Sequence, residues 1–120
     1  MVDVTTYPEI NDLILAADAA VLDYSSLRFD FALTGRPMLF LVPDLASYTG
    51  AVRGFLFDFA SSAPGPLLNR ADEVIASLRD LERVSARYAG ARDAFHAQYN
   101  YLQDGHSAEQ VVARFFGPAQ

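Results

Sequence analysis

Apolar residues follow two different spacings in the first half of the chain. Near the start, four of them recur at the spacing of an amphipathic helix: Ile10, Leu13, Ile14 and Ala17. The unbroken apolar runs at 20–22 and 38–42 have the length and composition of buried parallel strands. A helix through Phe29 and Leu33 separates the two runs, and Gly35 is placed to end it in a left-handed conformation. This order predicts a right-handed βαβ unit.

The second half of the chain has helical spacing throughout. Two apolar stripes predict two helices: Val74, Ile75, Leu78 and Leu81, then Val84, Tyr88, Ala91 and Phe95. Gly90 is a predicted weak point in the second of them. A turn is expected over residues 100–105, and a last helix should carry Val111, Val112, Phe115 and Phe116 before it ends at Gly117-Pro118.

Polar residues and prolines mark where several elements should begin or end. Thr6 with Glu9, and again Ser107 with Gln110, have the spacing of a capping box at a helix start. Residues 55–59 are expected to be a short strand or an aromatic loop. The run Ala63-Pro64-Gly65-Pro66 within residues 61–66 predicts a rigid surface turn and a candidate wall of a site.

Length and composition predict one well-packed domain, and the βαβ unit places it in the α/β class. Its 120 residues, of which 52% are hydrophobic and 20% charged, suffice for a single domain over residues 1–120. We predict a Rossmann-like partial domain, with a short parallel sheet flanked by helices and a helical C-terminal half. Because this length is small for a complete nucleotide-binding α/β enzyme, we expect the chain to be part of a larger protein.

Charge and cysteine content exclude several functions. A net charge of -6 argues against nucleic acid binding, which depends on lysine and arginine neutralising phosphates. The absence of cysteine removes disulfides and thiolate metal sites, which fits a cytoplasmic protein. No apolar run has the length of a bilayer span, and the N-terminus lacks the pattern of a signal sequence.

The polar turn after the first predicted strand is the main candidate for a site. Asp23, Ser25 and Ser26 lie at the carboxyl end of that strand, where open α/β sheets bind ligands. Backbone N–H groups, two hydroxyls and the positive end of a helix dipole suit a diphosphate. Asp30, four residues after Ser26 on the same helix face, is placed to accept hydrogen bonds from ribose or polyol hydroxyls. The alternative is that these are ordinary N-cap residues and that Asp30 is a solvated helix residue.

Two further residues are expected near the same edge of the sheet. Asp44 follows the second predicted strand, where it is either a site residue or the N-cap of a short turn. Arg53 lies in a polar, glycine-containing segment, where an arginine either clamps a phosphate through two hydrogen bonds or stays exposed without a role.

Histidine and metal chemistry are not expected in this chain. His96 and His106 are its only histidines, and neither has companion ligands at metal-binding spacing. The sequence contains no P-loop, no GxGxxG and no GxSxG motif. We therefore predict no metal and no cofactor within the chain, and no general base near the turn other than carboxylates.

Short motifs occur in a fixed order over nearly the whole chain. They are Asp3-Val4, Tyr7, Asn11-Asp12-Leu13, Asp23-Tyr24-Ser25-Ser26, Phe29-Asp30-Phe31, Arg36-Pro37, Asp44-Leu45, Tyr48, Arg53-Gly54-Phe55, Phe57-Asp58, Pro64-Gly65-Pro66 and Asp104-Gly105. In this order and spacing they resemble the CDP-glycerol glycerophosphotransferase family, the teichoic acid polymerases and primases of bacterial cell walls. A single motif would be weak, whereas the series is specific.

This resemblance implies a GT-B enzyme of two Rossmann-like domains, with this chain as the C-terminal part of the domain that binds CDP-glycerol. It implies transfer of glycerol phosphate to a polyol-phosphate acceptor in the synthesis of teichoic acid or a related polymer. The donor contacts of the family carry over to Ser25, Ser26 and Asp30. The resemblance also implies a missing N-terminal acceptor domain and a cytoplasmic location at the inner face of the cell membrane. Membrane contact is then expected only through the full-length protein.

The chain also departs from the family pattern. Leu22 replaces a common threonine, Arg28 stands where an apolar residue is usual, and Gln110 takes a position often held by arginine. The family's catalytic histidines lie upstream of the matched region, so the chain alone is expected to be inactive.

The donor and the assembly stay open at this point. The alternatives are a GT-B transferase that uses a sugar nucleotide and a non-catalytic module that binds a nucleotide or a partner. If part of the sheet is missing, an open edge or apolar face should be covered by a second copy of the chain, which predicts a homodimer.

Overall fold

Within the part of the chain that the structure describes, a parallel sheet of three strands lies at the centre of the fold. The computed structural model describes residues 1–45 and 58–117. The strands are β1 (Ala20–Leu22), β2 (Met38–Leu41) and β3 (Leu67–Leu68). Both predicted strands are therefore confirmed, the second ending one residue early, and β3 is an addition that the sequence did not indicate.

Helices account for most of the remaining regular structure. Within the described ranges they are α1 (Ile10–Ala16), α2 (Leu27–Ala32), α3 (Phe59–Ser62), α4 (Ala71–Arg79), α5 (Leu81–Arg87), α6 (Ala89–Tyr99) and α7 (Ser107–Phe116). The predicted α/β class, with a short parallel sheet, flanking helices and a helical C-terminal half, is confirmed.

The central strand β2 forms the middle of the core. Met38, Leu39 and Phe40 are each exposed by 1% or less, because β1 and β3 pair with the two edges of β2 and helices cover its faces. The core cluster combines residues of the sheet and the helices: Ile14, Phe31, Ala32, Met38, Phe40, Val42, Phe59 and Phe95. This packing accounts for the continuous apolar run of the second predicted strand.

The connection from α2 to β2 also holds α1 in place. Gly35 has a φ of 69°, which confirms the predicted left-handed end of the second helix. The next residue, Arg36, donates from Nη1 to the carbonyl oxygens of Leu15 and Ala17, both at 2.7 Å. These bonds satisfy carbonyl groups at the C-terminal end of α1.

The predicted capping boxes are wrong at both helices. At α1, Glu9 is itself the N-cap and accepts from the Asn11 N–H at 3.1 Å, while Thr6 lies upstream of the helix. At α7, the N-cap is His106, whose side chain makes no cap bond, and the Gln110 amide reaches back to Asp104 at 3.0 Å. One member of each expected pair, Glu9 or Gln110, therefore forms a bond near the helix start, but neither pair forms the reciprocal bonds of a capping box.

The region before β3 also differs from the prediction. Of the stretch predicted as a strand or aromatic loop, residues 55–57 lie outside the described residues, and Phe59 begins α3, which also includes Ser61 and Ser62. Pro64, Gly65 and Pro66 are buried and do not form a surface turn. The Pro66 carbonyl accepts from the Phe40 N–H at 2.9 Å, so the segment packs directly against β2.

In the C-terminal half, α4 and α5 are separated at Asp80, so Leu81 begins α5 and does not continue the first predicted helix. The next break lies at Tyr88 and not at the predicted weak point Gly90, which is inside α6. α6 packs on α2 through aromatic rings, with the Phe29 ring centre 5.4 Å from that of Phe95 and 5.3 Å from that of Tyr99. The buried Asn100 adds a hydrogen bond from Nδ2 to the Phe29 carbonyl at 2.8 Å. Tertiary contacts therefore fix the direction of α6.

The last helix is exposed along its length. Every described residue from Tyr101 to Gly117 is exposed, including Phe115 at 75% and Phe116 at 81%. Among the helices of the described residues, none combines the length and the apolar character that crossing a bilayer requires.

Candidate functional site

Polar residues follow all three strands at one edge of the sheet. Asp23 to Ser26 follow β1, Asp44 follows β2, and Asn69 with Arg70 follow β3. The carboxyl ends of parallel strands meet at the same edge, and neighbouring strands are about 5 Å apart. The structure therefore brings the β1 turn and Asp44 to one rim, as the sequence predicts, and adds Arg70.

The turn after β1 is shaped by short-range hydrogen bonds. Asp23 Oδ1 accepts from the Ser25 N–H at 2.7 Å, and Ser25 Oγ accepts from the Leu27 N–H at 3.2 Å. The Asp23 and Ser25 side chains are therefore engaged in building the turn. Fewer N–H groups are available to a ligand than the sequence suggested, because these two are already satisfied.

Ser26 is the residue of this turn whose donors remain available. It is the exposed N-cap residue of α2 and its side chain makes no cap bond. No hydrogen bond from its N–H or hydroxyl group occurs within residues 1–45 and 58–117. One backbone and one side-chain donor of this exposed rim residue thus have no acceptor among the described residues. Because α2 has only six residues, these local donors matter more than the dipole of the helix.

Arg28 lies buried on the inner side of the turn, with 4% of its surface exposed. Its Nη1 donates to the Tyr24 carbonyl at 3.1 Å and to the Ser25 carbonyl at 3.4 Å. The guanidinium carbon is 4.7 Å from the centre of the Phe29 ring and 4.9 Å from that of Phe59. Burial lowers the pKa of Arg28 from its ordinary value, while nearby Tyr99 acts to raise it. An arginine still remains charged at neutral pH.

Tyr24 connects the turn to the two neighbouring parts of the rim. Its hydroxyl donates to Asp44 Oδ1 at 2.7 Å, which places Asp44 next to the β1 turn. Its ring meets the Phe59 ring edge-on, with the centres 5.5 Å apart. The turn is therefore held from the end of β2 and from the start of α3.

Asp30 lies on the exposed side of α2. It lines a cavity of about 360 Å³ between α1 and α2, together with Asn11, Leu33, Thr34 and Arg36. Neither Ser25 nor Ser26 lines this cavity. Asp30 is thus in the first turn of α2 and lines a cavity on the side toward α1, which the two serines do not share.

Two arginines are associated with this rim, one predicted and one observed. The predicted one, Arg53, lies outside the described residues. Arg70 was missed by sequence reasoning, because a strand of two residues after a proline-rich segment gives no periodic signal. Its guanidinium group pairs with Asp72, and this contact raises the pKa of Arg70 and lowers that of Asp72. Its main-chain N–H donates to Glu73 at 3.1 Å.

The histidines lie apart from this rim. His96 is exposed on α6, and His106 Nδ1 is 3.2 Å from Glu109 at the start of α7. In the portion of the chain that the structure describes, no three histidine or carboxylate side chains cluster as metal ligands.

The chain matches a protein-family model over residues 1–117, described as CDP-glycerol:poly(glycerophosphate) glycerophosphotransferase. It is 39% identical over 114 residues to the teichoic acid poly(glycerol phosphate) polymerase of Bacillus subtilis (strain 168), covering 95% of this chain and 15% of that protein. It is 35% identical over 114 residues to the teichoic acid glycerol-phosphate transferase of Staphylococcus aureus (strain NCTC 8325 / PS 47), covering 95% and 29%. The chain therefore spans less than a third of either relative.

Solved structures agree with these matches. The wall teichoic acid polymerase TagF superposes with a TM-score of 0.84 at 28% identity, over 92% of this chain and 27% of that one. A variant of TagF with CDPG superposes with a TM-score of 0.83 at the same identity and coverage. The shared fold and the family match over nearly all residues lead to one conclusion: the chain belongs to the CDP-glycerol:poly(glycerophosphate) glycerophosphotransferase family.

Proposed function

We propose that residues 1–120 are the C-terminal part of the donor-binding domain of a GT-B transferase. In the full-length protein, this transferase moves glycerol phosphate from CDP-glycerol to a polyol-phosphate acceptor during synthesis of teichoic acid or a related polymer. The observation that carries the proposal is that the N–H and hydroxyl of Ser26, at the carboxyl rim of the sheet, have no acceptor within the described residues. The names of the relatives and the TagF variant with CDPG support the choice of donor.

The proposed reaction is a displacement at the β-phosphorus of the donor. The acceptor hydroxyl oxygen forms a bond to that phosphorus, the bond from the phosphorus to the bridging oxygen breaks, and CMP leaves with the electron pair. The hydroxyl proton goes to a base, for which the resemblance implies a histidine of the preceding domain. The N–H and hydroxyl of Ser26 donate to diphosphate oxygens, where positioning and electrostatic stabilisation supply most of the rate.

The other site residues have narrower roles in this proposal. Asp23 and Ser25 fix the shape of the turn through their hydrogen bonds. Asp44 is held beside the turn by the hydroxyl of Tyr24 and stays a predicted contact of the CDP-glycerol. Asp30 lies one helical turn from Ser26, about 5–6 Å along α2. It therefore contacts the polyol only if the donor extends along that helix, and Arg53 stays a predicted phosphate contact.

The substitution Ser26→Ala in the full-length protein tests the role of the turn. It removes one of the two hydrogen-bond donors of Ser26. We therefore expect the Kd for CDP-glycerol to rise at least about tenfold or kcat to fall by a similar factor. Calorimetry with CDP-glycerol and a steady-state transfer assay measure these effects. Ser107→Ala, on α7, is the matched control and should behave as wild type. Wild-type affinity and rate in the Ser26 variant would refute the proposal.

A panel of donors distinguishes the proposed function from its alternatives. CDP-glycerol should bind more tightly than CDP-ribitol, UDP-sugars and GDP-sugars. Preferential binding of a sugar nucleotide would instead identify a sugar transferase on the same fold. Nucleotide binding without turnover by the full-length protein would identify a non-catalytic module.

Two further proposals concern location and assembly. We propose that the full-length protein works in the cytoplasm at the inner face of the cell membrane, where cell fractionation should recover it with the membranes. We also propose that the apolar face of α7 is covered by a second copy of the chain. Its residues Val111, Val112, Phe115 and Phe116 are all more than half exposed, which is unusual for a cluster of large apolar side chains.

A further inference from the structure

A buried arginine at the base of the proposed site is the most informative feature that the proposed function does not use. An arginine with 4% exposure is uncommon, since burying its charge is costly unless hydrogen bonds and nearby groups compensate. Here the Nη1 bonds to the Tyr24 and Ser25 carbonyls, together with the Phe29 and Phe59 rings, hold the guanidinium group in one position.

Those two carbonyls belong to the peptide planes that carry the N–H groups of the turn. The Tyr24 carbonyl shares a plane with the Ser25 N–H, and the Ser25 carbonyl shares a plane with the Ser26 N–H. In a trans peptide, the C=O and N–H bonds point in opposite directions. Two carbonyls held toward a buried guanidinium therefore turn both N–H groups toward the surface.

Only one of these N–H groups is left for a ligand. The Ser25 N–H donates to Asp23 at 2.7 Å. The Ser26 N–H has no acceptor within the described residues, and the Ser26 hydroxyl lies beside it. An apolar side chain at position 28 would remove this donor from both carbonyls and leave the Ser25 carbonyl with the long backbone bond from the N–H of residue 28, at 3.5 Å. The two peptide planes would therefore be freer to rotate.

We infer that Arg28 is a positioning residue for the donor diphosphate: by holding the Tyr24 and Ser25 carbonyls, its guanidinium group presents the N–H and hydroxyl of Ser26 to the phosphate oxygens. This inference rests on the proposed function. It assigns a role to a side chain that does not itself touch the ligand. It also explains why a charged residue is compatible with a position surrounded by aromatic rings.

The test compares CDP with cytidine as probes of the full-length protein, because only CDP carries the diphosphate. Arg28→Met removes the donors and keeps most of the side-chain length. We expect its Kd for CDP to rise about tenfold, while its Kd for cytidine changes less than about twofold. If the role of Arg28 were purely structural, the substitution would raise the Kd for CDP and the Kd for cytidine by the same factor. Arg92→Met is the matched control, because Arg92 donates to Ser85 at 3.1 Å on another part of the fold.

Two more variants complete the design. Arg28→Lys keeps the charge and a donor, so its ratio of cytidine Kd to CDP Kd should lie between those of the Met variant and wild type. If Arg28→Met does not fold, the inference is tested by the ratio of cytidine Kd to CDP Kd in Arg28→Lys. A wild-type ratio in that variant overturns the inference. The double variant of Arg28→Met with Ser26→Ala should lose less CDP affinity than the two single losses combined, because both changes act on donors of the same residue.

The outcomes separate the two proposals. Wild-type protein that binds neither CDP nor CDP-glycerol overturns the proposed function. If the Ser26 variant loses CDP affinity while the Arg28 variants keep the wild-type ratio of cytidine Kd to CDP Kd, only the role of Arg28 is overturned.

Discussion

At the scale of single residues, Gly65 shows how closely two backbone segments approach behind the site. It lies between two buried prolines, and a Cβ atom placed on it would overlap the Met38 carbonyl group of β2. That neighbour is backbone within the central strand, so it cannot move aside as a flexible side chain can. The close approach, and not a positive φ, explains why a glycine is needed at this position.

The pair Gly65→Ala and Gly90→Ala tests this explanation. Gly65→Ala should lower the free energy of unfolding by about 1–3 kcal/mol or more, because it overpacks the core. Gly90 is inside α6 with no atom near its missing Cβ, so Gly90→Ala should raise the free energy by about 0.5–1 kcal/mol. Urea unfolding measures both, and equal stabilities for the two variants would contradict the packing argument.

Local hydrogen bonds of the site could be anticipated from the sequence, whereas its long-range contacts could not. The bonds of Asp23 and Ser25 join residues two positions apart and follow from the polar turn after an apolar run. The burial of Arg28 depends on Phe59, which lies far along the chain. Sequence spacing carries no information on such a contact.

At the scale of elements, the short helix α3 is fixed at its start by Asp58. The Asp58 carboxylate accepts from the Ser61 N–H at 3.2 Å, and its main-chain carbonyl accepts from the Ser62 hydroxyl at 2.6 Å. The bonds from Ser61 lower the pKa of Asp58 below its ordinary value of 3.8. α3 places Phe59 against both Tyr24 and Arg28, so this cap supports the site indirectly.

The lowered pKa of Asp58 predicts the direction in which the stability of the fold changes with pH. The ionised Asp58 carboxylate stabilises the fold above its unfolded-state pKa, and this contribution is lost as the pH falls from 3.8 through the lower folded-state value. Asp58→Asn keeps an acceptor oxygen and cannot titrate. We expect wild type to be more stable than this variant at neutral pH, with the gap closing on acidification. Thermal unfolding against pH measures the gap, and parallel curves for wild type and Asp58→Asn would contradict it. Asp93→Asn, at an exposed position of α6, is the control.

Elements with a strong periodic signal were located from the sequence, and elements set by tertiary packing were not. β1, β2 and α2 follow from apolar runs and from Gly35. β3 has two residues and exists because β2 offers a free edge to pair with. The break at Tyr88 falls within one continuous stripe of apolar residues, where spacing alone cannot reveal a change of direction.

At the scale of the whole molecule, the chain is less compact than its length requires, and α7 is exposed along its length. The radius of gyration is 16.9 Å, against about 14 Å for a compact domain of this size. Val111, Val112, Phe115 and Phe116 share one side of α7, which a second copy could cover.

The substitution Phe115→Glu tests this assembly. Wild-type chain should show a mass above that of the monomer that rises with concentration, and Phe115→Glu should shift it toward the monomer, because a charge replaces a large apolar contact. Analytical ultracentrifugation over a range of concentrations measures both. Ala113→Glu adds the same charge on another side of α7 and should leave the mass unchanged. A wild-type chain that stays monomeric at high concentration would rule out the second copy.

The hydrogen bond from Asn100 to the Phe29 carbonyl joins residues 71 positions apart. Through this bond, the C-terminal end of α6 holds α2, the helix that follows the serine turn, in place. A shortened chain that stops after Tyr99 would keep every strand and every residue of the rim, yet it would release the segment on which Arg28 and Phe29 are carried. Engineering of a minimal donor-binding fragment should therefore set its downstream border beyond Asn100, although α7 itself can be removed without touching the sheet.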